Sequence, residues 1–267
     1  MGTLQIAVAG AAGRMGQETL RTLGNASEFE VVAAIDKTCV GESASTVAGP
    51  PAPDIVVTAR LGETLDATKP DVLIDLTHPS CAADNTLTAL KRKIAVVIGT
   101  SGLGNDNLSA IRSACREYET PALLVPNFAV GAVLMMRFAE MAAHWLPSAE
   151  IIELHHDGKA DSPSGTATRT AEIVSSARES EPRGVVGSIE KYPGARGANV
   201  KGVRIHSVRL PGLVAHQEVI FGGTGELLSI RHDSMNRTSF MEGVKLACRE
   251  VRSLEGFVIG LDKLMFR

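Results

Sequence analysis

The sequence predicts an α/β protein: a doubly wound, mostly parallel sheet in the first half and an α+β domain with a mixed, open sheet in the second. Three observations in these 267 residues favour this class. An apolar segment near the amino terminus leads into a glycine-rich turn and a helical pattern. Strand-like and helical patterns then alternate up to residue 127, whereas after residue 200 strand-like segments follow one another directly.

The glycine-rich turn is the first candidate binding site. Residues 4–9 have a strand pattern, residues 17–23 have a helical pattern, and Gly-Ala-Ala-Gly-Arg-Met-Gly lies between them. The order strand, glycine turn, helix is the context of a Rossmann-type dinucleotide site, although alanine replaces the middle glycine of Gly-x-Gly-x-x-Gly. Amides at the helix start would bind a pyrophosphate. The predicted cofactor-binding residues here are Gly10, Ala12, Gly13, Arg14, Met15 and Gly16.

The second predicted strand, over residues 29–35, ends next to an acidic and a basic residue. Asp36 follows the last glycine of the turn by about twenty residues, where this fold places a carboxylate on the adenosine ribose. That position favours NADH. Lys37, with Arg14, could instead pair with the 2′-phosphate of NADPH. The sequence therefore predicts NADH or NADPH as cofactor and leaves the choice open.

The alternation continues through the first half. Strands are predicted over 55–58, 71–76, 94–98 and 122–125, and helices over 80–91 and 105–118. Ligands of doubly wound sheets bind beyond the carboxyl ends of the strands. The loops that follow these strands, at 77–79, 99–102 and 126–128, are therefore the expected walls of the site.

The pattern changes in the second half. An apolar, methionine-rich helix is predicted over 131–146, an exposed loop over 178–201, and a final helix over 238–254. Strands over 203–210, 215–221 and 226–232 are separated by Pro-Gly and by Gly-Gly-Thr-Gly, and are predicted to form a meander of antiparallel hairpins. We expect a dinucleotide-binding domain at 1–127 and 237–267 and a substrate-binding domain at 128–236.

The segment 150–167 holds most of the candidate chemistry. A short apolar strand over 151–155 ends at His155 and His156, Lys159 lies on the loop that follows, and Ser164 precedes a helical pattern over 167–177. A helix start with serine and threonine offers unpaired amides to an anion. A proton donor, a cation and an anion-binding helix start within one short segment predict a site, although each residue alone also has an ordinary structural explanation.

This segment resembles the signature of the 4-hydroxy-tetrahydrodipicolinate reductase (dihydrodipicolinate reductase) family. The resemblance is carried by Glu153, His155, His156, Lys159, Asp161, Pro163, Ser164, Gly165, Thr166 and Ala167. The strand-end loops of the first half are also similar to cofactor-lining segments of the family, with Ser101 and Ala129 where the family usually has threonine and serine.

The resemblance implies roles for individual residues. His155 would be the proton donor, and Lys159 would hold a substrate carboxylate and share that role. The implied substrate-binding residues are His156, Ser164, Gly165, Thr166 and Arg237. The implied cofactor-lining residues are Thr77, Gly99, Thr100, Asn127 and Phe128.

The resemblance also implies a reaction and an assembly. A reduced nicotinamide would transfer hydride to the cyclic dicarboxylate formed from 4-hydroxy-tetrahydrodipicolinate by loss of water, in lysine and diaminopimelate biosynthesis. The sheet of the second domain would build a homotetramer. The alternatives are another two-domain NAD(P)H oxidoreductase acting on an amino or keto acid, and a nucleotide-binding sensor without catalytic activity.

Composition argues against several other classes. A net charge of −3 gives no indication of a nucleic-acid or membrane partner, and no apolar run approaches the length of a membrane span. The four cysteines lack Cys-x-x-Cys spacing, and the histidines lack metal-ligand spacing, so no metal site is predicted. The amino terminus has no signal-peptide pattern. We expect a cytoplasmic protein, or one of the plastid stroma if a transit peptide has been removed.

Overall fold

A computed structural model describes residues 2–180, 182 and 189–266. The described strands are β1 (Leu4–Ala9), β2 (Phe29–Ile35), β3 (Val57–Thr58), β4 (Val72–Asp75), β5 (Ala95–Ile98), β6 (Ala122–Leu124), β7 (Ser148–His155), β8 (Ala198–Val200), β9 (Val203–Arg209), β10 (Ala215–Gly223), β11 (Glu226–Ser234) and β12 (Phe257–Ile259). The described α-helices are α1 (Arg14–Gly24), α2 (Ala44–Ala48), α3 (Leu61–Thr68), α4 (Pro79–Leu90), α5 (Asn105–Glu117), α6 (Val130–Ala143), α7 (Gly165–Ala177), α8 (Met241–Glu250) and α9 (Asp262–Met265). Short 3₁₀ helices cover Arg237–Phe240 and Val251–Ser253.

The chain forms two compact units. One contains the residues up to Phe128 together with those from Phe240 onward, and the other is Ala129–Ser239. In the first unit, parallel strands form a seven-stranded sheet in the order β12-β6-β5-β4-β1-β2-β3. The predicted doubly wound α/β fold is confirmed. The strand order reverses between β1 and β4, the point at which such sheets bind ligands.

The first sheet forms because its strands are apolar on both faces. The last four residues of β1 and all residues of β4 and β5 are buried, as expected for a parallel sheet covered by helices on both sides. Leu73, Ile98 and Ile111 belong to one continuous core with the helices. The single charged residue of β4, Asp75, lies at the strand end and is fully buried.

The prediction for the first unit missed several short elements. Helices α2 and α3 lie between Asp36 and β4, and β12 adds an edge strand beside β6. Helix α2 has only five residues, too few to show a helical period, and the Oγ of Ser43 caps it by accepting the Ser45 amide. The predicted helix over 238–254 begins and ends as 3₁₀ turns around α8.

The second unit contains a five-stranded mixed sheet in the order β11-β10-β7-β9-β8. Its mixed character was predicted, but the simple meander was wrong. Strand β9 pairs parallel with β7 and not with β10, while β10 pairs antiparallel with both β7 and β11. Turn residues in the sequence show where a strand ends. They do not show that the earlier strand β7 lies between β9 and β10, because that order depends on long-range packing.

The predicted exposed loop over 178–201 is also only partly correct. Residues 198–200 form β8, which pairs antiparallel with β9. Residues 181 and 183–188 of that prediction lie outside the described part of the chain. The core of this unit combines α6, α7 and one face of the sheet through Met135, Ala171, Ile151 and Phe221, so the methionine of α6 has the packing role expected from the sequence.

Candidate functional site

The turn after β1 is too tight for side chains at two of its glycines. Gly10 has a φ of +82°, and a Cβ there would lie 2.6 Å from the carbonyl oxygen of Leu76. A Cβ on Gly16, in the first turn of α1, would lie 2.0 Å from the carbonyl oxygen of Gly10. The lack of a side chain at these two positions lets the start of α1 lie close against the end of β1, which is the close approach that a pyrophosphate cradle requires.

The start of α1 presents backbone amides without a competing side-chain cap. Gly13 is the N-cap and makes no side-chain hydrogen bond to the first turn, which begins at Arg14 and Met15. Helical geometry leaves the first amides of a helix without intrahelical acceptors, and the helix dipole favours an anion there. Ala12 lies just before this turn, and Gln17 donates its side-chain amide to the Ala12 carbonyl at 2.9 Å.

Asp36 is already engaged with the glycine turn. Its Oδ2 accepts the backbone amide of Ala12 at 2.9 Å, and its Oδ1 accepts both the amide and the hydroxyl of Thr38. Burial raises the pKa of Asp36, but the hydrogen bonds from Thr38 and Ala12 outweigh it and hold the pKa below its ordinary value. The residue therefore anchors the turn, a role that the sequence pattern did not indicate. Lys37 is exposed beside it.

Asp75 organises the loops after β4 and β5, and it was not among the predicted site residues. Its Oδ1 accepts hydrogen bonds from the Thr77 amide at 3.1 Å, the Thr77 hydroxyl at 2.7 Å and the Thr100 hydroxyl at 3.0 Å. Its Oδ2 accepts the side-chain amide of Asn85 at 2.8 Å. Two predicted cofactor-lining residues, Thr77 and Thr100, are thus joined by one buried carboxylate.

Asp75→Asn is expected to lower the free energy of unfolding by about 1–3 kcal/mol, because its new amide faces the amide of Asn85 and leaves buried donors unpaired. Chemical denaturation measures this loss. The double variant Asp75→Asn with Asn85→Asp again places a donor opposite an acceptor, and it is expected to recover most of the lost free energy of unfolding. Asp66→Asn, which affects an exposed ion pair with Arg92, is the control. Equal losses in the single and double variants would contradict this account.

The remaining predicted cofactor residues lie next to these loops. A Cβ on Gly99 would meet the Phe128 ring at 2.7 Å, and the Gly99 amide donates to the Asp75 carbonyl at 2.8 Å. Phe128 is buried, and its ring lies beside Gly99. Asn127, between β6 and Phe128, is half-buried. The first unit thus brings its predicted residues to the carboxyl ends of β1, β2, β4, β5 and β6.

In the second unit, His155 lies at the end of β7 within a buried polar cluster. Its Nδ1 is 2.5 Å from Oε2 of Glu153, a residue with no exposed surface. Arg209 of β9 donates two hydrogen bonds to the same carboxylate, at 2.9 Å and 2.8 Å. The parallel pairing of β7 with β9 places Arg209 beside His155. Because the prediction paired β9 elsewhere, it missed Arg209.

The start of α7 is tied to this cluster. Ser164 is its N-cap: the Oγ accepts the Ala167 amide at 3.2 Å, and the Ser164 amide donates to Oε1 of Glu153 at 3.2 Å. Ser164 is buried, Thr166 is half-buried and Gly165 is exposed. The predicted anion-binding helix start and the predicted proton donor therefore share one carboxylate.

Lys159 and His156 lie on the loop that joins β7 to α7. The Lys159 amide donates to the His156 carbonyl and closes the turn, while its Nζ is 2.7 Å from Oδ1 of Asp161. His156 is exposed. Arg237 is also exposed and begins the 3₁₀ helix at the end of this unit; among the described residues it has no recorded bond to the cluster.

The electrostatics of the cluster favour an uncharged imidazole when no anion is bound. Burial lowers the pKa of His155; the hydrogen bond and charge of Glu153 raise it, and the charges of Lys159 and Arg209 lower it further, so the net pKa is below its ordinary value. An anion that neutralised the nearby positive charges would raise this pKa again. The arrangement can therefore couple binding of a carboxylate to protonation of His155.

Neither a metal site nor a membrane-spanning helix is found in the part of the chain that the structure describes. Within residues 2–180, 182 and 189–266, no group of three or more His, Cys, Asp or Glu side chains is arranged to hold a metal ion. None of the helices in that same part of the chain combines the length and apolar character needed to cross a bilayer.

Comparison with known proteins covers both units. Residues 4–128 match the family model "Dihydrodipicolinate reductase, N-terminus", and residues 131–265 match "Dihydrodipicolinate reductase, C-terminus". The chain belongs to the dihydrodipicolinate reductase family. The resemblance stated from the segment 150–167 is confirmed, and the family match covers residues 4–128 and 131–265.

Individual relatives agree with this family. The chain is 45% identical over 265 residues to 4-hydroxy-tetrahydrodipicolinate reductases of Bacillus anthracis and Bacillus thuringiensis, covering 99% of this chain and 100% of theirs. A dipicolinate-bound dihydrodipicolinate reductase from Paenisporosarcina sp. TG-14 has a TM-score of 0.87 at 40% identity, covering 98% of this chain and 99% of that one. The family match in the second unit favours this reductase over another two-domain oxidoreductase.

Proposed function

We propose that this protein catalyses the NAD(P)H-dependent reduction of 4-hydroxy-tetrahydrodipicolinate to tetrahydrodipicolinate, in lysine and diaminopimelate biosynthesis. The substrate loses water to give a conjugated cyclic imine, and the imine then takes up a hydride and a proton. A bound reduced nicotinamide supplies the hydride. The first unit holds the dinucleotide, and the second unit holds the dicarboxylate. The reaction takes place in the cytoplasm.

The observation that carries this proposal is the joining of His155 to the start of α7 through Glu153. A cyclic dicarboxylate needs a site for an anion and, after hydride transfer, a proton. The helix start, with Ser164, Gly165 and Thr166, binds one carboxylate through amides and hydroxyls. Lys159 pairs with a carboxylate, and His156 and Arg237 add positive or hydrogen-bonding groups. Protonated His155 delivers the proton to the enamine carbon.

Two features of the first unit fit a dinucleotide. The backbone around Gly10 and Gly16 leaves no room for a Cβ, as expected where a pyrophosphate approaches the turn. The strand-end loops that carry Thr77, Gly99, Thr100, Asn127 and Phe128 line the nicotinamide side. Asp36 accepts the ribose hydroxyls of NADH while keeping its bond to Ala12, and Lys37 with Arg14 receives the extra phosphate of NADPH.

The mixed sheet supports the proposed homotetramer. Its face away from the core carries Ile152, Leu154 and Ile220, which are only partly buried among the described residues. A second copy of the chain would cover this face and remove the apolar area from water. Light scattering coupled to size-exclusion chromatography measures the assembly; a monomer at micromolar concentration would contradict it.

One assay tests the proposed reaction. Purified protein is mixed with NADH or NADPH and freshly prepared 4-hydroxy-tetrahydrodipicolinate, and the loss of reduced-nicotinamide absorbance is recorded. We expect turnover that pyridine-2,6-dicarboxylate inhibits competitively against the substrate. Oxidation of the nucleotide with amino or keto acids instead, or nucleotide binding without turnover, would replace this function by one of the two alternatives.

Lys159→Ala is expected to raise the Michaelis constant for the dicarboxylate about tenfold or more and to slow turnover, because a substrate carboxylate loses its ammonium partner. Steady-state kinetics measure both constants. The control is Lys263→Ala, which removes an exposed lysine paired with its neighbour Asp262. If Lys159→Ala changes only thermal stability, the lysine serves the fold through its pair with Asp161.

A further inference from the structure

Glu153 has several charged and hydrogen-bonding partners and no role so far in the reaction. It has no exposed surface, and its two oxygens accept hydrogen bonds from His155, Arg209 and the Ser164 amide. Burial of an ionised carboxylate is costly unless it is paired and hydrogen-bonded. An apolar side chain at this core position would have avoided that cost. The retained charge therefore calls for a reason beyond packing.

The contact with His155 determines which imidazole nitrogen carries hydrogen. Burial raises the pKa of Glu153, but hydrogen bonds from Arg209, Ser207 and His155 outweigh this effect, so its pKa is lowered and the side chain is ionised at neutral pH. An ionised carboxylate only accepts hydrogen bonds, so Nδ1 must be the protonated nitrogen of the neutral ring. The Nε2 atom is then the one that gains and loses the catalytic proton.

Arg209 fixes the carboxylate in turn. Besides its paired bonds to Glu153, its guanidinium donates to the Val208 carbonyl at 2.7 Å and to the Asp161 carbonyl at 2.7 Å. Asp161 is the residue whose side chain pairs with Lys159. Arg209 therefore links strand β9, the Glu153 carboxylate of β7 and the loop that carries Lys159, the lysine proposed to bind the substrate.

We propose that Glu153 is a positioning residue for proton transfer. With Arg209 as its counter-charge, it holds the His155 ring as the Nδ1–H tautomer and fixes the position of that ring relative to the start of α7. This inference rests on the proposed function for the proton transfer itself. The tautomer and the position of the ring are properties of the second unit in the absence of any reaction.

Glu153→Gln tests the kinetic consequence. We expect turnover to fall on the order of 10- to 100-fold, as for groups that orient another reacting residue. Because the charge of Glu153 raises the pKa of His155, its removal should also move the pH profile of kcat/KM for the dicarboxylate to lower pH. The dissociation constant for the nucleotide should not change. Glu172→Gln, which breaks an exposed pair with Arg169 on α7, is the matched control.

A second measurement decides the tautomer in the unsubstituted protein. Nitrogen-15 NMR of the histidine rings, with His155 assigned by loss of its signals in His155→Ala, should show a protonated Nδ1 and an unprotonated Nε2 above the pKa. The opposite tautomer would overturn the proposal, as would wild-type turnover and pH profile in Glu153→Gln. If Glu153→Gln does not fold, Glu153→Gln with Arg209→Met removes both buried charges and is expected to show the same kinetic loss.

The two proposals fail in different ways. Absence of turnover in the unsubstituted protein would reject the proposed reaction while leaving the NMR result valid. Normal turnover with the wrong tautomer would reject the role of Glu153 and leave the reaction in place.

Discussion

His155→Ala is expected to lower kcat on the order of 10²-fold or more while the nucleotide dissociation constant remains within about twofold, because the variant lacks the proposed general acid and keeps the first unit intact. Steady-state kinetics and fluorescence titration with NADH measure the two quantities. The ring is largely buried at the end of β7, so thermal unfolding is recorded in parallel.

His144→Ala is the matched control for this variant. His144 is an exposed histidine of the same unit, at the end of α6 and beside Glu179. Its removal should leave kcat unchanged. Wild-type turnover in His155→Ala would remove this imidazole from the mechanism, and a loss confined to thermal stability would give it a structural role only.

The pH dependence of stability follows from the same cluster. The pKa of His155 is lowered in the folded protein, so its protonation is more costly there than in the unfolded chain, and stability falls as the pH drops below the ordinary value of 6.5. The pKa of Glu153 is also lowered, so its contribution is present above its ordinary value of 4.5 and is lost as the pH falls through the folded value. Both effects destabilise the second unit in acid.

Gly16→Ala is expected to weaken nucleotide binding at least tenfold and to lower the free energy of unfolding by about 1–3 kcal/mol. The new Cβ would lie 2.0 Å from the carbonyl oxygen of Gly10, so either the helix start or the turn must move. Both movements displace the amides that are proposed to bind the pyrophosphate. Isothermal titration with NADH and chemical denaturation measure the two effects.

Gly62→Ala supplies the comparison for that loss. Gly62 is also a helix residue of the first unit, but the closest atom to a Cβ there is the flexible end of the Arg92 side chain, at 3.2 Å. This variant should bind NADH normally, and alanine favours the helical conformation. Normal nucleotide binding in Gly16→Ala would mean that the turn is not the pyrophosphate site.

The architecture of the first unit could be predicted because its signals are local. The apolar runs of β1, β2, β4 and β5 and the glycine turn determine strand, turn and helix within a few residues of one another. Helix α2 and strand β12 were missed because elements of five and three residues carry no measurable period. In the second unit, the order of the strands depends on β7 entering between β9 and β10, which no local pattern encodes.

The same distinction separates the candidate site residues that were predicted from those that were missed. His155, Lys159 and Ser164 lie in one segment, so one local pattern predicts all three as candidates. Arg209 lies beside His155 only because β7 pairs parallel with β9, and Asp75 gains part of its role from Thr100, which is 25 residues away in sequence. A charged residue ending an apolar strand, as Asp75 does, was the available signal. It indicates a buried partner without identifying it.

The most direct test is a crystal structure of the protein with NADH and pyridine-2,6-dicarboxylate. We expect one carboxylate of the inhibitor on the amides at the start of α7, the ring within hydrogen-bonding reach of Nε2 of His155, and the pyrophosphate at the start of α1. An inhibitor bound away from His155 and the start of α7, or a pyrophosphate away from the turn between Gly10 and Gly16, would contradict the assignment of the two sites.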